Sequence, residues 1–149
     1  MSPATKRLPH RSRHGRDVLL DTGPLVAVLD ARDAWHDRCV QAFPELLPRC
    51  VTTEAVVTEA CHFAHRAGRA WAPLELLLAA RIPILGVEAG GHRHSRVLME
   101  RYGALPMDYA DATLCAAAEA LRISTVFTLD RRGFSTYQPA HGARFTLLP

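Results

Sequence analysis

Asp17-Val-Leu-Leu-Asp21 is the stretch that decides the fold, and Thr22-Gly23-Pro24 follows it directly. Its three apolar residues form the kind of run that a strand buried on both faces requires. Asp21 closes the run, and Gly23 and Pro24 predict that the strand stops there and a helix follows. Open α/β sheets bind ligands at the carboxyl ends of their strands, so Asp21 is a candidate functional residue. A second interpretation, that Asp21 only caps the next helix, explains the same residues equally well.

Strand patterns alternate with helical patterns along the rest of the chain. Strands are predicted at 17–21, 50–51, 82–87, 124–129 and 145–148. Helices are predicted at about 25–30, 34–43, 54–66, 71–80, 92–102 and 108–122. The alternation predicts an α/β protein, a three-layer α/β/α sandwich around a central, mainly parallel sheet.

Glycine and proline residues divide these segments. Pro44 and Pro48 are expected to end the second helix, and Gly90-Gly91 is expected to form a turn before the fifth. Residues 131–133 are predicted to form a loop. Neither a repeat nor a second domain is indicated by the pattern, so residues 17–149 are expected to form one domain.

Basic residues are concentrated at the amino terminus. The formal net charge is +3, from 18 basic and 15 acidic residues. Residues 1–16 hold five basic residues and no acid, which leaves 13 basic residues against 15 acids in 17–149. Residues 1–16 are therefore predicted to be a flexible basic arm, either a solvated tail or a contact for nucleic acid.

The four cysteines show no CxxC spacing, which favours reduced core thiols in a cytoplasmic protein. Neither a secretory signal nor an apolar stretch long enough for a bilayer is visible, so no membrane association is expected.

Acidic residues recur at positions where elements begin or end. Asp130 closes an apolar strand as Asp21 does, and both should lie at the same edge of a parallel sheet. Asp108 and Asp111, three residues apart, face one side of a helix, although a helix cap explains them as well. Glu59 lies at the margin of a helical apolar stripe, as a carboxylate beside a cleft or as an ordinary boundary residue. That stripe is predicted to comprise Val56, Val57, Ala60, Cys61, Phe63 and Ala64.

If these acids converge, their mutual repulsion requires a cation. A ligand set made only of oxygen atoms suits Mg²⁺ or Mn²⁺ rather than zinc. A water held by such an ion can attack a phosphodiester, so convergence would indicate metal-dependent phosphodiester hydrolysis.

Four segments of the chain resemble, in order, the motifs of PIN-domain ribonucleases, and in particular the VapC-type toxins of toxin–antitoxin pairs. The segments are Leu20-Asp21-Thr22-Gly23-Pro24, Thr53-Glu54-Ala55-Val56-Val57-Thr58-Glu59, Pro106-Met107-Asp108-Tyr109-Ala110-Asp111-Ala112 and Thr128-Leu129-Asp130-Arg131-Arg132-Gly133-Phe134. The resemblance implies that residues 17–149 form a PIN-like nuclease domain. Gly133 departs from the polar or acidic residue that usually precedes the phenylalanine.

The resemblance also implies roles for individual residues. It implies catalytic acids at Asp21, Glu59, Asp111 and Asp130, which together with Asp108 would hold Mg²⁺ or Mn²⁺. Thr22 and Thr128 match the hydroxyl residues that support those acids. Arg131 and Arg132 are candidate phosphate contacts, or residues of a solvated loop.

The implied function is a divalent-metal-dependent endoribonuclease that hydrolyses single-stranded RNA, acting as the toxin of a toxin–antitoxin pair. The implied partners are RNA, a cognate antitoxin protein and a second copy of the chain in a homodimer. Two alternatives within the same fold stay open: an RNA-processing nuclease outside a toxin system, and a non-catalytic module that binds RNA or protein.

Other classes of protein fit less well. Residues 19–23 match the Asp-Thr-Gly core of retroviral-type aspartic proteases, but the helical periods contradict their all-β architecture. A phosphoacceptor domain lacks its lysine at a late strand, because Lys6 is the chain's one lysine. His62 and His65 have no cysteine pair to complete a zinc set, and adjacent Cys61 and His62 would point apart on a helix.

Overall fold

The computed structural model describes residues 15–149 and has a five-stranded parallel sheet at its centre, in the order β3-β2-β1-β4-β5. The strands are β1 Val18–Leu20, β2 Cys50–Thr53, β3 Ile84–Leu85, β4 Thr125–Phe127 and β5 Thr146–Leu148. The helices are α1 Thr22–Ala27, α2 His36–Leu46, α3 Glu54–His65, α4 Ala72–Ala79, α5 Ala89–Arg101, α6 Tyr109–Leu121 and α7 Arg131–Phe134, with a 3₁₀ turn at Leu47–Arg49. The predicted fold class is confirmed.

The central strand β1 shows why the molecule has three layers. Successive side chains of a strand point to opposite faces of the sheet. Val18 and Leu20 therefore pack into one core with Leu25 of α1 and Leu77 of α4, and they are fully buried. Leu19 belongs to a second core on the other face, together with side chains of α5 and α6. Helices cover both faces, as the continuous apolar run predicts.

The register of β1 and β4 places the ends of the two strands side by side. Leu20 pairs with Phe127, and the amide of Asp21 donates to the carbonyl of Phe127 (3.0 Å). Both strands run in the same direction, so the residues that follow them, Asp21 and Thr128, emerge at the same edge. The backbone pairing alone therefore brings two distant segments of sequence together.

Three local predictions are wrong. Pro44 lies inside α2, because Phe43 and Leu46 are buried and their packing outweighs the hydrogen bond that the proline lacks. Gly90 and Gly91 lie in the first turn of α5, not in a turn before it. A Cβ at Gly91 would stand 2.9 Å from Val87 Cγ1, so glycine permits the close approach.

The third error concerns residues 131–133. They belong to α7 and not to a loop, because the Asp130 side chain caps a helical turn there. Their sequence has no apolar period, so only the cap signals this helix.

The predicted basic arm lies outside the described residues except for its last two positions. The Arg16 guanidinium donates to the carbonyls of Pro48 (2.5 Å), Leu47 and Arg81 (both 3.2 Å), so Arg16 contacts the folded domain. All four cysteines are free thiols, and three of them are buried. In the part of the chain that the structure describes, no helix has the length and apolar character to cross a membrane.

Candidate active site

A cleft of about 340 Å³ opens at the carboxyl edge of the sheet. All five acids singled out from the sequence line it, although they come from four separate segments. They are Asp21, Glu59, Asp108, Asp111 and Asp130. Asp33 is a sixth acid in the lining, and among residues 15–149 no lysine, arginine or histidine lines the cleft. The described part of the chain therefore concentrates acidic side chains in the cleft and places no basic side chain in its lining.

Asp21 is held rigidly at the floor of this cleft. Its side chain is 6% exposed, Oδ1 accepts a hydrogen bond from the Thr22 amide (2.8 Å), and Oδ2 accepts one from the Thr128 hydroxyl (2.6 Å). Burial raises the pKa of Asp21 to about 6, although the two hydrogen bonds oppose the rise. Asp21 is also the N-cap of α1, so capping the helix and lining the cleft are compatible roles of the same side chain.

Thr128 links two of the acids. Its hydroxyl donates to Asp21 and accepts from the amide of Asp130 (2.9 Å). Asp130 in turn caps α7, because its Oδ1 accepts from the Gly133 amide (3.0 Å). One hydroxyl therefore fixes the two strand-end acids relative to each other.

Asp108 and Asp111 form a reciprocal capping box at the start of α6. Asp108 Oδ1 accepts from the Asp111 amide (2.8 Å), and Asp111 Oδ2 accepts from the Asp108 amide (3.4 Å). Burial raises the pKa of Asp111 to about 8, and the negative charges of Asp108 and Asp21 add to the rise. The capping box thus explains why the two acids are three residues apart. Burial in the cleft, together with the neighbouring negative charges, explains the raised pKa of Asp111.

Glu59 reaches the cleft from α3 and is half-buried, as its position in the sequence indicates. Burial raises the pKa of Glu59, and the charge of Asp108 adds to this. The buried Thr22 hydroxyl faces this carboxylate and lowers its pKa, although it makes no hydrogen bond of good geometry. Phe63 was predicted to be core, and this is wrong: it is 43% exposed and lines the cleft beside Glu59.

Gly133 and Tyr137 support the site, and the sequence reasoning missed both roles. Tyr137 is 1% exposed, and its hydroxyl points to Asp111 Oδ2 at 3.4 Å. A Cβ on Gly133 would stand 2.3 Å from Asp130 Oδ2 and 2.8 Å from the Tyr137 hydroxyl. The glycine therefore leaves room for both the Asp130 carboxylate and the Tyr137 hydroxyl. The departure of Gly133 from the expected pattern was the available signal.

Replacing Gly133 with alanine is expected to destabilise the protein by roughly 1–3 kcal/mol, because the added methyl group overpacks a buried site. Relief requires Asp130 to leave its cap or the Tyr137 ring to shift within the core. Urea denaturation measures the effect. Gly90→Ala is the matched control: its Cβ would meet nothing within 4 Å, so it should leave stability unchanged or slightly higher. Equal midpoints for the two variants would contradict the packing argument.

The two arginines of α7 do not line the cleft. Both are exposed, and the Arg131 guanidinium donates to the Pro149 carbonyl (2.6 Å). Arg132 is engaged through its backbone carbonyl, which accepts from Ser135 and Thr136. Neither side chain makes a contact with an acid of the cleft that would compete with a phosphate.

The donor set of the cleft fits a hard divalent cation. Its polar side chains are carboxylates and one threonine, which offer oxygen ligands only. The raised pKa values of Asp21 and Asp111 show that the acids are destabilised when ionised without a counter-charge. Among residues 15–149, no three acidic, histidine or cysteine side chains already surround one point, so the carboxylates would have to close on an ion.

Known proteins share this arrangement of elements. The Ribonuclease VapC26 of Mycobacterium tuberculosis is 28% identical over 135 residues, which cover 89% of this chain and all of that protein. The crystal structure of M. tuberculosis VapC20, described as a Sarcin-Ricin loop cleaving toxin, matches with a TM-score of 0.71 at 20% identity and covers 77% of this chain and 91% of that one.

Two further structures share the fold. A toxin–antitoxin complex from Klebsiella pneumoniae has a TM-score of 0.63 at 17% identity, over 89% of this chain and 96% of that one. VapBC2 from Rickettsia felis, bound to a DNA fragment from its promoter, has a TM-score of 0.57 at 15% identity, over 88% and 96%. A family model, the PIN domain, matches residues 18–138. The chain belongs to the PIN domain family.

Proposed function

We propose that this protein is a divalent-metal-dependent endoribonuclease that cleaves single-stranded RNA and acts as the toxin of a toxin–antitoxin pair. The proposal is carried by the cleft, which six acids line without a basic side chain from residues 15–149, in a chain of the PIN domain family. The name of VapC26, a ribonuclease, supports RNA as the substrate, and VapC20 is described as a Sarcin-Ricin loop cleaving toxin.

Asp21, Glu59, Asp108, Asp111 and Asp130 would hold Mg²⁺ or Mn²⁺ between them. The chemistry supplied by such an ion, when bound, would be activation of a water and neutralisation of charge on the scissile phosphate. The residues of the chain supply fixed geometry. Thr22 and Thr128 orient Asp21, while the hydroxyl of Tyr137 meets Asp111 from the core side. Such supporting contacts commonly change metal affinity or activity 10–100-fold when removed, by order of magnitude.

Glu59 is suited to a different role from Asp21. It is only half-buried, and it stands on the helix α3, whereas Asp21 and Asp130 follow strands of the sheet. Burial raises the pKa of this carboxyl, which makes it a better proton acceptor when it is ionised. We therefore assign Glu59 to accept the proton of the attacking water, in addition to its place among the ligands. Arg132, exposed on α7 next to Arg131, would contact RNA phosphates outside the cleft.

A toxin that cleaves RNA would need an inhibitor in its own cell. The solved Klebsiella and Rickettsia felis structures are toxin–antitoxin complexes, which supports a protein antitoxin as partner. We also propose a homodimer that works in the cytoplasm. The second candidate, an RNA-processing nuclease without an antitoxin, has the same chemistry and differs only in this partner.

Incubating the purified protein with single-stranded RNA tests the proposal. Cleavage is expected with Mg²⁺ or Mn²⁺, and EDTA should abolish it because the acids alone repel the phosphate. Adding excess Mn²⁺ back should restore it, and a matched single-stranded DNA should be cut far more slowly. Cleavage that persists in EDTA, or intact RNA with both metals, would overturn the proposal. Binding of RNA without cleavage would favour the non-catalytic alternative.

A further inference from the structure

A second pocket, which we call the side pocket, adjoins the acidic cleft. Its volume is about 460 Å³, and Glu59 and Asp108 line both the side pocket and the cleft. The other lining residues are Ala55, Thr58, His62, Tyr109 and Ala110. A chain of nucleotides whose phosphate lay in the cleft would therefore bring a neighbouring group to the side pocket.

Tyr109 presents an aromatic ring in this pocket in a fixed orientation. The ring is 39% exposed, and Tyr109 follows Asp108 directly at the start of α6. His92 of α5 lies beside it, nearly parallel, with centroids 6.2 Å apart and planes at 13°, and Nδ1 of His92 lies 2.6 Å from the phenol oxygen. A single exposed tyrosine is ordinary on a protein surface. An exposed ring held by a second ring and a hydrogen bond, beside the acids, is a preformed stacking surface.

The polar wall of the side pocket accepts more hydrogen bonds than it donates. Glu59 and Asp108 are acceptors when ionised. The Thr58 hydroxyl donates to the Glu54 carbonyl (2.9 Å), which leaves its oxygen to accept. The other polar side chains of the lining in the described residues are His62 and Tyr109, and the Tyr109 hydroxyl is paired with His92. Such a wall suits a ligand that brings its own N–H donors.

We propose that the side pocket binds the base of the nucleotide next to the scissile phosphate, stacked on Tyr109, and that it prefers bases with an exocyclic amine over uracil. This inference rests on the proposed function. Every base offers a π face for stacking, and the amines of adenine, cytosine and guanine supply donors to Glu59, Asp108 and Thr58. Uracil presents carbonyl oxygens where those amines would be, and they would face acceptors.

The first arm of the test compares the kinetics of RNA cleavage by the wild type and two variants. Tyr109→Leu removes the ring and should raise KM about tenfold with kcat nearly unchanged, in the range expected for loss of one stacked base. Tyr109→Phe keeps the ring and should stay within about threefold of the wild type. Trp71→Leu is the control, because Trp71 is a 57% exposed aromatic residue that lines neither pocket, and it should change nothing.

The second arm reads stacking directly and does not depend on turnover. A short single-stranded RNA carrying 2-aminopurine is mixed with each protein, and its fluorescence is recorded before cleavage begins. Stacking on Tyr109 should quench the wild-type signal, and Tyr109→Leu should lose the quench while keeping the wild-type unfolding midpoint. Replacing adenine by uracil next to the cleaved bond should raise KM.

The outcomes separate this inference from the proposed function. Absence of cleavage with every divalent metal tested would refute the proposed function. The quenching of 2-aminopurine fluorescence would still show whether the side pocket binds a base. Normal cleavage with equal KM and equal quench in wild type and Tyr109→Leu would overturn the side-pocket proposal. Loss of affinity for a protein partner in Tyr109→Leu, with RNA parameters unchanged, would assign the pocket to that partner and overturn it too.

Discussion

Replacing Asp21 with asparagine is expected to lower RNA cleavage on the order of 10³-fold or more, because it removes a charge from the floor of the cleft. The amide keeps the shape of the carboxylate, and its oxygen can still accept from the Thr22 amide. The geometry of the site should therefore survive while the attraction for a cation is lost. Initial rates of RNA cleavage with saturating Mn²⁺ measure the effect.

The same substitution should stabilise the protein in chelator at pH 8. The rise of the Asp21 pKa from 3.8 to about 6 costs the folded, ionised state roughly 3 kcal/mol relative to the unfolded chain. Asparagine removes that cost, although its new NH₂ group and the Asp130 amide would then both donate to the Thr128 hydroxyl oxygen. Glu45→Gln, an exposed change on α2, should alter neither quantity. Full activity in Asp21→Asn, or equal effects in both variants, would refute the role of Asp21.

The second large effect is a reversal of the pH dependence of stability by metal. In EDTA, the free energy of unfolding should fall as pH rises from about 4 to about 8. The pKa of Asp21 is raised to about 6 and that of Asp111 to about 8 in the folded state. Within that interval the folded protein binds more protons than the unfolded chain, so raising the pH favours unfolding. The contribution of protonated Asp21 and Asp111 to the free energy of unfolding is complete below about pH 4 and is lost above about pH 8.

Mn²⁺ should change the sign of that slope. Metal ligands must be deprotonated, so affinity for the ion grows over the same interval and binding releases protons. Urea denaturation at several pH values, with EDTA and with Mn²⁺, measures both slopes. Subtracting the Asp21→Asn curve from the wild type removes the titration of groups elsewhere in the protein. A slope in EDTA that is unchanged by Asp21→Asn, or identical slopes with and without Mn²⁺, would contradict the description of the cleft.

The features predicted well from sequence depend on local patterns that the fold preserves. The apolar run before Asp21 predicts a strand that is buried on both faces. A similar run precedes Asp130, and because the two strands are parallel, both acids lie at one edge of the sheet. Spacing alone puts Asp108 and Asp111 at the start of one helix. A strand followed by an acid is therefore sufficient to predict the edge on which the acids meet.

The features missed depend on the packing of elements that are distant in sequence. Phe63 fits the apolar stripe of α3, but the turn that carries it faces the open cleft. Tyr137 lies 26 positions from Asp111, which its hydroxyl contacts, and the missing Cβ of Gly133 leaves room for that hydroxyl and for Asp130. Pro44 stays in a helix because its neighbours are buried. Periodicity describes one element at a time and contains none of this information.

Calorimetric titration of Mn²⁺ into the wild type, Asp21→Asn and Asp130→Asn at pH 8 is the most direct measurement. If the acids meet to hold a divalent ion, the wild type binds it saturably and releases protons, and both variants lose most of that affinity while remaining folded. Absence of saturable binding to the wild type, or undiminished binding by both variants, would contradict a metal site at the carboxyl edge of the sheet.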